Sequence, residues 1–341
     1  MSQTKYLLPP VKKYFKTNLH THSTISDGRL PPEEVQAYYK ERGYSILSLT
    51  DHNVVVDHSA LNDEDFLMLT GAEYNVNDDS LPISHHKTYH LNFIAKKPDI
   101  LWQPFHPATE REDVKALLAK TENEAMPRVY DIDAVNAMIA KANEKGHLVI
   151  YNHPVWSLQD YTDYAGLKGV WGLEICNYGS IRAGFVDDHN GLILRDMMNL
   201  TGSIMPVCAD DAHGTSSMCG AWNMIGAEEL TYDSVIEAME KGNLYASTGP
   251  EIYELSITGN ILKVRCSDAR NIWVECGNRY GRAAHPVHND GLVREAEFDL
   301  SFWMGRCNGS SMDWLRVIVN GPYGHYATTR PYTYAELTAA E

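Results

Sequence analysis

The feature that most constrains this chain is a recurring pattern. Short apolar runs alternate with helix-like stretches, and run after run is followed or opened by a histidine or carboxylate. The run at 15–19 leads into His20-Thr21-His22, with Asp27 shortly after. SILSLT (45–50) is followed by Asp51 and His52, and FLMLT (66–70) by Gly71-Ala72-Glu73. His90 opens HLNFIA, HLVIY (147–151) precedes Asn152-His153-Pro154, and the strand-like run ending at Cys208 precedes Asp210, Asp211 and His213. Helix-like stretches lie between the runs, at 31–43, 110–120, 131–145, 188–200 and 231–241. Pro31 and Pro32 with Glu33 and Glu34 make a good helix start, and Gly146 suits a helix end. Strands alternating with helices predict an α/β fold with a largely parallel sheet, open or closed into a barrel. In such folds the C-terminal strand ends gather on one face, so residues distant in sequence meet there.

Near Gly249-Pro250 the pattern changes. Beyond it, short strand-like runs at 253–258, 262–266, 271–275, 297–302 and 315–319 are punctuated by Gly-Asn, Asn-Gly and Gly-Pro steps. The expected organisation is a first domain over 1–250 and a small antiparallel β-sandwich-like domain over 251–341.

Charge and composition narrow the function. Lys plus Arg number 29 against 45 Asp plus Glu, a formal net of −16. That average surface repels a phosphate backbone, so nucleic-acid binding is not expected. No apolar run reaches the ~18 residues of a membrane span. The N-terminus lacks the apolar core of a signal peptide, so a cytoplasmic location is expected. The six cysteines form no C-x-x-C pair and read as buried free thiols.

The chemistry-bearing residues suggest metal. On an extended segment, residues i and i+2 share a face, so His20 and His22 can reach one ion. Imidazole with carboxylate suits Zn, Mn or Fe, and a carboxylate such as Glu73 can bridge two ions. Each piece alone is weak; their recurrence at strand ends predicts a metal site.

The segments NLHTHSTISDG, LTDHN, GAEYN, HLNFI, YNHPVW, LEICN and DDAHG, in this order, resemble the polymerase-and-histidinol-phosphatase (PHP) superfamily of metal-dependent phosphoesterases over roughly residues 15–250. LYASTGPEI resembles the entry into the β domain behind some bacterial members. The resemblance implies a distorted (β/α)7 TIM-like barrel with up to three divalent transition metals. It implies His20, His22, Glu73 and Asp211 at one ion, Glu73, His90 and His153 at a second, and Asp27, His52 and His213 at a third. Asp211 is preferred to Asp210 by the Asp-x-His ending, and His90 to His85 and His86 because it directly precedes the apolar strand. Asp51 is expected to orient His52 or a neighbour, and Asp210 is grouped with it behind the ligands.

The expected activity is hydrolysis of a small molecule's phosphate ester, monoester or diester, through a metal-bound hydroxide. Glu73, Asp211 and His213 carry the chemistry, and Arg182, with Arg29 and Lys87 behind it, contacts phosphate. Trp156 reads as core. Two alternatives stand: amidohydrolase-like hydrolysis of a non-phosphate substrate, and a non-catalytic metal-binding or interaction module. The partner is a small phosphorylated substrate, without a membrane, and self-association is left open.

Overall fold

The computed structural model describes residues 3–11, 13–288 and 291–339; the outermost ends of both expected domains, Met1–Ser2 and Ala340–Glu341, lie outside them. The first elements are β1 (Thr4–Tyr6), β2 (Tyr14–Asn18), the helix α1 (Pro32–Lys40), β3 (Ile46–Leu49), β4 (Leu67–Asn77) and β5 (Thr88–Ala95). The fold is mixed α/β. A long sheet runs Met205–Ala209, Gly172–Asn177, His147–Tyr151, β5, β4, β3, β2, Trp222–Gly226, Leu244–Ser247, Tyr326–Thr329, Trp314–Asn320, Asn271–Cys276 and Arg282–Ala284. A second, antiparallel sheet joins β1, Ile252–Thr258, Ile261–Ala269 and Val293–Asp299.

Helix ends follow local chemistry. Asp131 caps the helix Ile132–Glu144 by accepting from the backbone N–H groups of Asp133 and Ala134. Thr231 caps Tyr232–Lys241 in the same way, and that helix ends at Gly242 with φ of 72°, a left-handed position that favours glycine. Strand 147–151 is buried along its whole length, as a strand covered on both faces must be.

The first part of the sheet is largely parallel, as expected, with β5 the exception, antiparallel to both β4 and His147–Tyr151. The β4–β5 connection contains no α-helix, so the chain returns alongside itself. Two strand boundaries need correction. The strand beginning near Phe66 does not stop at Thr70. It continues to Asn77, so Glu73 lies within β4 rather than after it. His90, near the start of the antiparallel β5, comes to the same region. Lastly, the run read as 297–302 is a strand at Val293–Asp299 followed by a short helix, Ser301–Met304.

The two sequence regions share sheets. β1 pairs with Ile252–Thr258, and Leu244–Ser247 pairs with Tyr326–Thr329. Leu7, Leu8 and Tyr245 pack in one apolar cluster with Leu255, Val264 and Val317. At the other edge of the long sheet, Thr21 and Ala212 form an isolated parallel bridge, with Asp211 N–H donating to the His20 carbonyl at 2.8 Å. Among the described residues no helix is long and apolar enough to cross a membrane. Cys176, Cys208, Cys266 and Cys276 are buried free thiols, while Cys219 and Cys307 are partly exposed.

His147 offers a test of the packing. Burial between Phe93 and Trp102 lowers its imidazole to about 4. Above about 6.5, the ordinary histidine value, neither folded nor unfolded state carries the proton. As pH falls, the unfolded chain binds it first, so stability is lost until the folded value of about 4 is passed. Between pH 7 and 5 this costs about 2 kcal/mol. Urea unfolding of the native protein and of His147→Gln at both pH values should show the variant losing less by that amount. Equal losses would remove His147 as the cause.

Candidate metal centre

Local folding brings the histidines and carboxylates together. β2 ends at Asn18, whose side chain accepts from the His20 N–H and turns the chain toward the centre. The next loop doubles back tightly. A Cβ on Gly28 would lie 2.5 Å from the His22 carbonyl oxygen, so only glycine fits beside Asp27. Asp51 holds this loop through both its oxygens, accepting from Ser23 N–H (2.8 Å), Ser23 Oγ–H (2.7 Å), Ser26 N–H (3.0 Å) and Ser26 Oγ–H (2.7 Å). Asp51 thus supports the Asp27 loop rather than bonding to His52. His153 and Asp211 are non-glycine residues with φ of 22° and 46°. Such strain persists only where surrounding contacts enforce it.

Four groups of side chains each place their ligand-type atoms within 4.8 Å of one another, close enough to hold a metal ion. They are His20, His22, Glu73 and Asp211; His22, Asp27, His52 and His213; His52, Glu73 and His90; and His20, His153 and Glu174. Glu73 is the hub. Its Oε1 lies 2.9 Å from His90 Nδ1, 3.2 Å from His153 Nε2 and 3.3 Å from His20 Nε2. Its Oε2 lies 3.0 Å from His52 Nδ1 and 3.6 Å from His22 Nε2. Asp211 Oδ1 is 3.0 Å from His22 Nε2 and 3.2 Å from His20 Nε2. Asp27 Oδ2 is 3.3 Å from His213 Nε2 and 3.7 Å from His52 Nε2.

Several ring nitrogens have partners outside the cluster. His20 Nδ1 meets Glu174 at 2.6 Å, His153 Nδ1 meets Ser157 Oγ at 3.2 Å, and His213 Nδ1 meets the Asp211 carbonyl at 3.1 Å. A proton on Nδ1 leaves Nε2 with its lone pair facing inward. The electrostatics agree. Burial opposes ionisation of Glu73 and Asp211, but the surrounding histidines outweigh it and hold both carboxyls far below their usual range. Burial likewise opposes protonation of His153 and His213, yet Glu73 beside one and Asp27 beside the other push both up to about 9.

All nine expected ligand positions fall in or beside this centre; the groupings differ in detail. His22 reaches two groups, through Nε2 and Nδ1. Glu174 was missed by sequence reasoning. It is buried, and its second oxygen accepts from His153 N–H (3.1 Å) and Asn177 Nδ2 (2.9 Å), so both oxygens position neighbours. The available signal was a lone carboxylate inside the apolar LEICN strand. Asn152 was also unassigned; its Nδ2 donates to Glu73 at 2.8 Å.

Asp210 lies outside the groups. It accepts from Tyr39 Oη–H and from the backbone N–H of Cys219, Gly220 and Ala221, while burial pushes its carboxyl up to about 6. His85 is exposed, and His86 faces Asp79 at 3.8 Å. Lys87 is ion-paired with Asp160 and Asp163. Arg29 is exposed, its stem against Gly214 and its backbone N–H bonded to the His213 carbonyl. Arg182 is exposed at the end of the helix Tyr178–Arg182, whose start packs beside Asp210 and Asp211. Trp156 is not core: it is 39% exposed, with its ring against His90 and His153.

No protein-family model matches the chain, and no curated protein matches it. Solved structures do. The chain is similar to a two-domain protein from Bacteroides vulgatus containing a predicted PHP-like metal-dependent phosphoesterase, at 16% identity over 96% of this chain and 90% of that one, TM-score 0.43. It is similar to a lesion-specific endonuclease from Pyrococcus furiosus at 13% identity, covering 67% of this chain and 56% of that one, TM-score 0.40. It is similar to an amidohydrolase from Chromobacterium violaceum at 14% identity, covering 58% and 87%, TM-score 0.36. At these identities and scores the reading of the site rests on its residues.

The loop anchor gives a prediction. Asp51→Asn weakens the hold on the Asp27 loop while leaving Glu73 and its histidines in place. Metal content per chain, measured after reloading and desalting, should fall by about one ion relative to the native protein. Unchanged content would show that the loop holds Asp27 without Asp51.

Proposed function

We propose that this chain is a PHP-type metal-dependent hydrolase acting on phosphate esters of small molecules. The carrying observation is the convergence of six histidines and the carboxylates Asp27, Glu73 and Asp211 around one buried hub, where among the described residues the ion-pair partners of those carboxylates are histidines. We take the seven strands from β2 to Met205–Ala209 as the distorted barrel and the Thr21–Ala212 bridge as its closure. Residues 1–250 carry the chemistry, with 251–341 as the attached β domain.

The residues fit divalent metal. Glu73 Oε2 and His52 Nδ1 are both buried and lie 3.0 Å apart, yet neither has a hydrogen-bond partner. Buried donor atoms left without a hydrogen-bond partner suit bound cations. The ligand sets are His20, His22, Glu73 and Asp211; Glu73, His90 and His153; and Asp27, His52 and His213. Zn, Mn and Fe all suit such nitrogen and oxygen donors. When bound, such ions polarise phosphoryl oxygens and lower the pKa of water.

The chain's own groups do the rest. Glu174 keeps a proton on His20 Nδ1 and so fixes the orientation of Nε2. The Asp211 carbonyl does the same for His213. Asn152 and Asn177 donate to Glu73 and Asp211 and hold their carboxylates in place. Arg29, beside His213 and with no ion pair among the described residues, is the first candidate to meet phosphate oxygens with its guanidinium fork. Arg182 is the second candidate for that task. The net charge of −16 disfavours a polynucleotide substrate.

Metal-loaded protein should hydrolyse phosphate esters in a panel that also contains carboxylic esters and amides. His22→Ala and Asp211→Asn should each lower turnover at least about 10³-fold with the circular dichroism spectrum unchanged. Full activity in either variant, or activity confined to the non-phosphate substrates, would overturn the reading.

A further inference from the structure

β4 and β5 form a ribbon that continues past the metal centre. The register pairs Asn75 with His90 and Asn77 with Thr88. Alternate residues of a strand share a face. Glu73, Asn75 and Asn77 on β4 therefore follow one another outward from the hub, beside His90 and Thr88 on β5. A cavity of about 390 Å³ lies over this ribbon, with His90 as part of its wall. Trp156, Phe185 and Ile83 also face it, and all three are exposed, by 39%, 39% and 88%. Apolar side chains left exposed around one cavity mark a binding surface.

The hydrogen-bond direction along the ribbon is determined. Arg128 can only donate. It gives Nε–H to the Asn75 carbonyl at 2.8 Å and Nη2–H to Asn75 Oδ1 at 2.5 Å. Asn75 is thereby oriented so that its Nδ2 donates to Asn77 Oδ1 at 3.0 Å. Thr88 Oγ1 donates to the same oxygen at 2.8 Å. With its oxygen engaged, Asn77 has its amide N–H groups left, and no acceptor meets them among the described residues. The ribbon thus ends in a donor at the cavity wall.

Among the described residues the cavity wall contains no lysine, arginine, aspartate or glutamate; its two histidines are His90, bonded to Glu73, and His86, which faces Asp79 at 3.8 Å. The nearby cations are committed elsewhere, Lys87 to Asp160 and Asp163 and Arg128 to Asn75. A second phosphate entering here would meet no lysine or arginine. An uncharged group with a flat apolar face and an acceptor oxygen would meet both of its partners.

We propose that this cavity is the leaving-group subsite and that it selects substrates whose alcohol is neutral and ring-bearing. The ring lies against Trp156, and a carbonyl or ether oxygen accepts from Asn77 Nδ2. The proposal rests on the phosphoesterase reading for the word leaving group; the binding preference itself does not need turnover.

The test is calorimetric titration of the metal-loaded protein with neutral alcohols. Uridine supplies a ring with carbonyls, benzyl alcohol a ring without them, and glycerol neither. Uridine and benzyl alcohol should bind at least about tenfold more tightly than glycerol, and Trp156→Ala should abolish that preference. Asn77→Asp keeps the oxygen that Asn75 and Thr88 bond but loses the donor. It should weaken uridine about fivefold or more and leave benzyl alcohol unchanged. Quenching of tryptophan fluorescence by uridine in the unaltered protein gives a readout that needs no variant. Glycerol binding as well as uridine, or uridine binding unaltered in Trp156→Ala, would overturn the subsite. Ring-alcohol binding in a protein that hydrolyses no phosphate ester would keep the subsite and overturn the phosphoesterase reading instead.

Discussion

The buried carboxylate of Glu73 is the interaction on which the site depends. It has no exposure to solvent and lies within 3.6 Å of nitrogens from His20, His22, His52, His90 and His153. Taking an ion of this kind out of water costs several kcal/mol unless other charges and donors compensate. Among the described residues the ion-pair partners of Glu73 are histidines. Protonated imidazoles can supply the compensating charge in the metal-free protein, which is why His20 and His153 hold their protons so firmly. Divalent ions would supply it more completely and would engage the Oε2 lone pairs that have no hydrogen-bond donor. The same carboxylate therefore makes the centre costly when empty and strongly attractive to metal.

The frame that delivers these groups carries local strain. Asp211 and His153 hold left-handed backbone conformations, which cost non-glycine residues on the order of 1–3 kcal/mol each. Each is held from outside the residue. Asp211 N–H bonds to the His20 carbonyl, and His153 N–H to Glu174 Oε2. Glu174 also holds the His20 ring, so one buried side chain fixes one imidazole and the strained backbone turn that carries another. Removing that carboxylate would loosen the His20 ring and the His153 turn together.

Much of the site was legible in the sequence because the ligands come in short local motifs. His20 and His22 share a face on an extended segment, and Asp211 and His213 follow a buried strand, so local spacing already places their side chains. Glu174 was less legible because nothing local distinguishes it. Its role appears only when Gly172–Asn177 lies against His147–Tyr151 and the carboxylate meets His20 from a different part of the chain. The extent of β4 was misjudged for a related reason. Gly71-Ala72 reads as the end of an apolar run, yet cross-strand pairing with β5 carries the strand through both residues to Asn77. The direction of β5 was hidden because strand periodicity is identical in either direction. Trp156 was read as core because a tryptophan beside a buried strand usually packs inward; here Pro154 and the turn after His153 leave it at the mouth of the cavity.

The register of β4 ties chemistry to selectivity. Strand side chains alternate with a period of two, so a slip of one residue would turn Glu73 away from the histidines and Asn75 and Asn77 away from the cavity together. Neither set can move without the other. Arg128 reinforces this coupling from outside the sheet, because its two bonds to Asn75 fix both the backbone position and the direction of the amide chain that ends at Asn77. Glu73 and Asn77 thus sit four residues apart on one strand. Under the proposed reading, a substrate seated against Asn77 would be set at a fixed distance from Glu73 by strand geometry, with Trp156 contributed by the turn after His153.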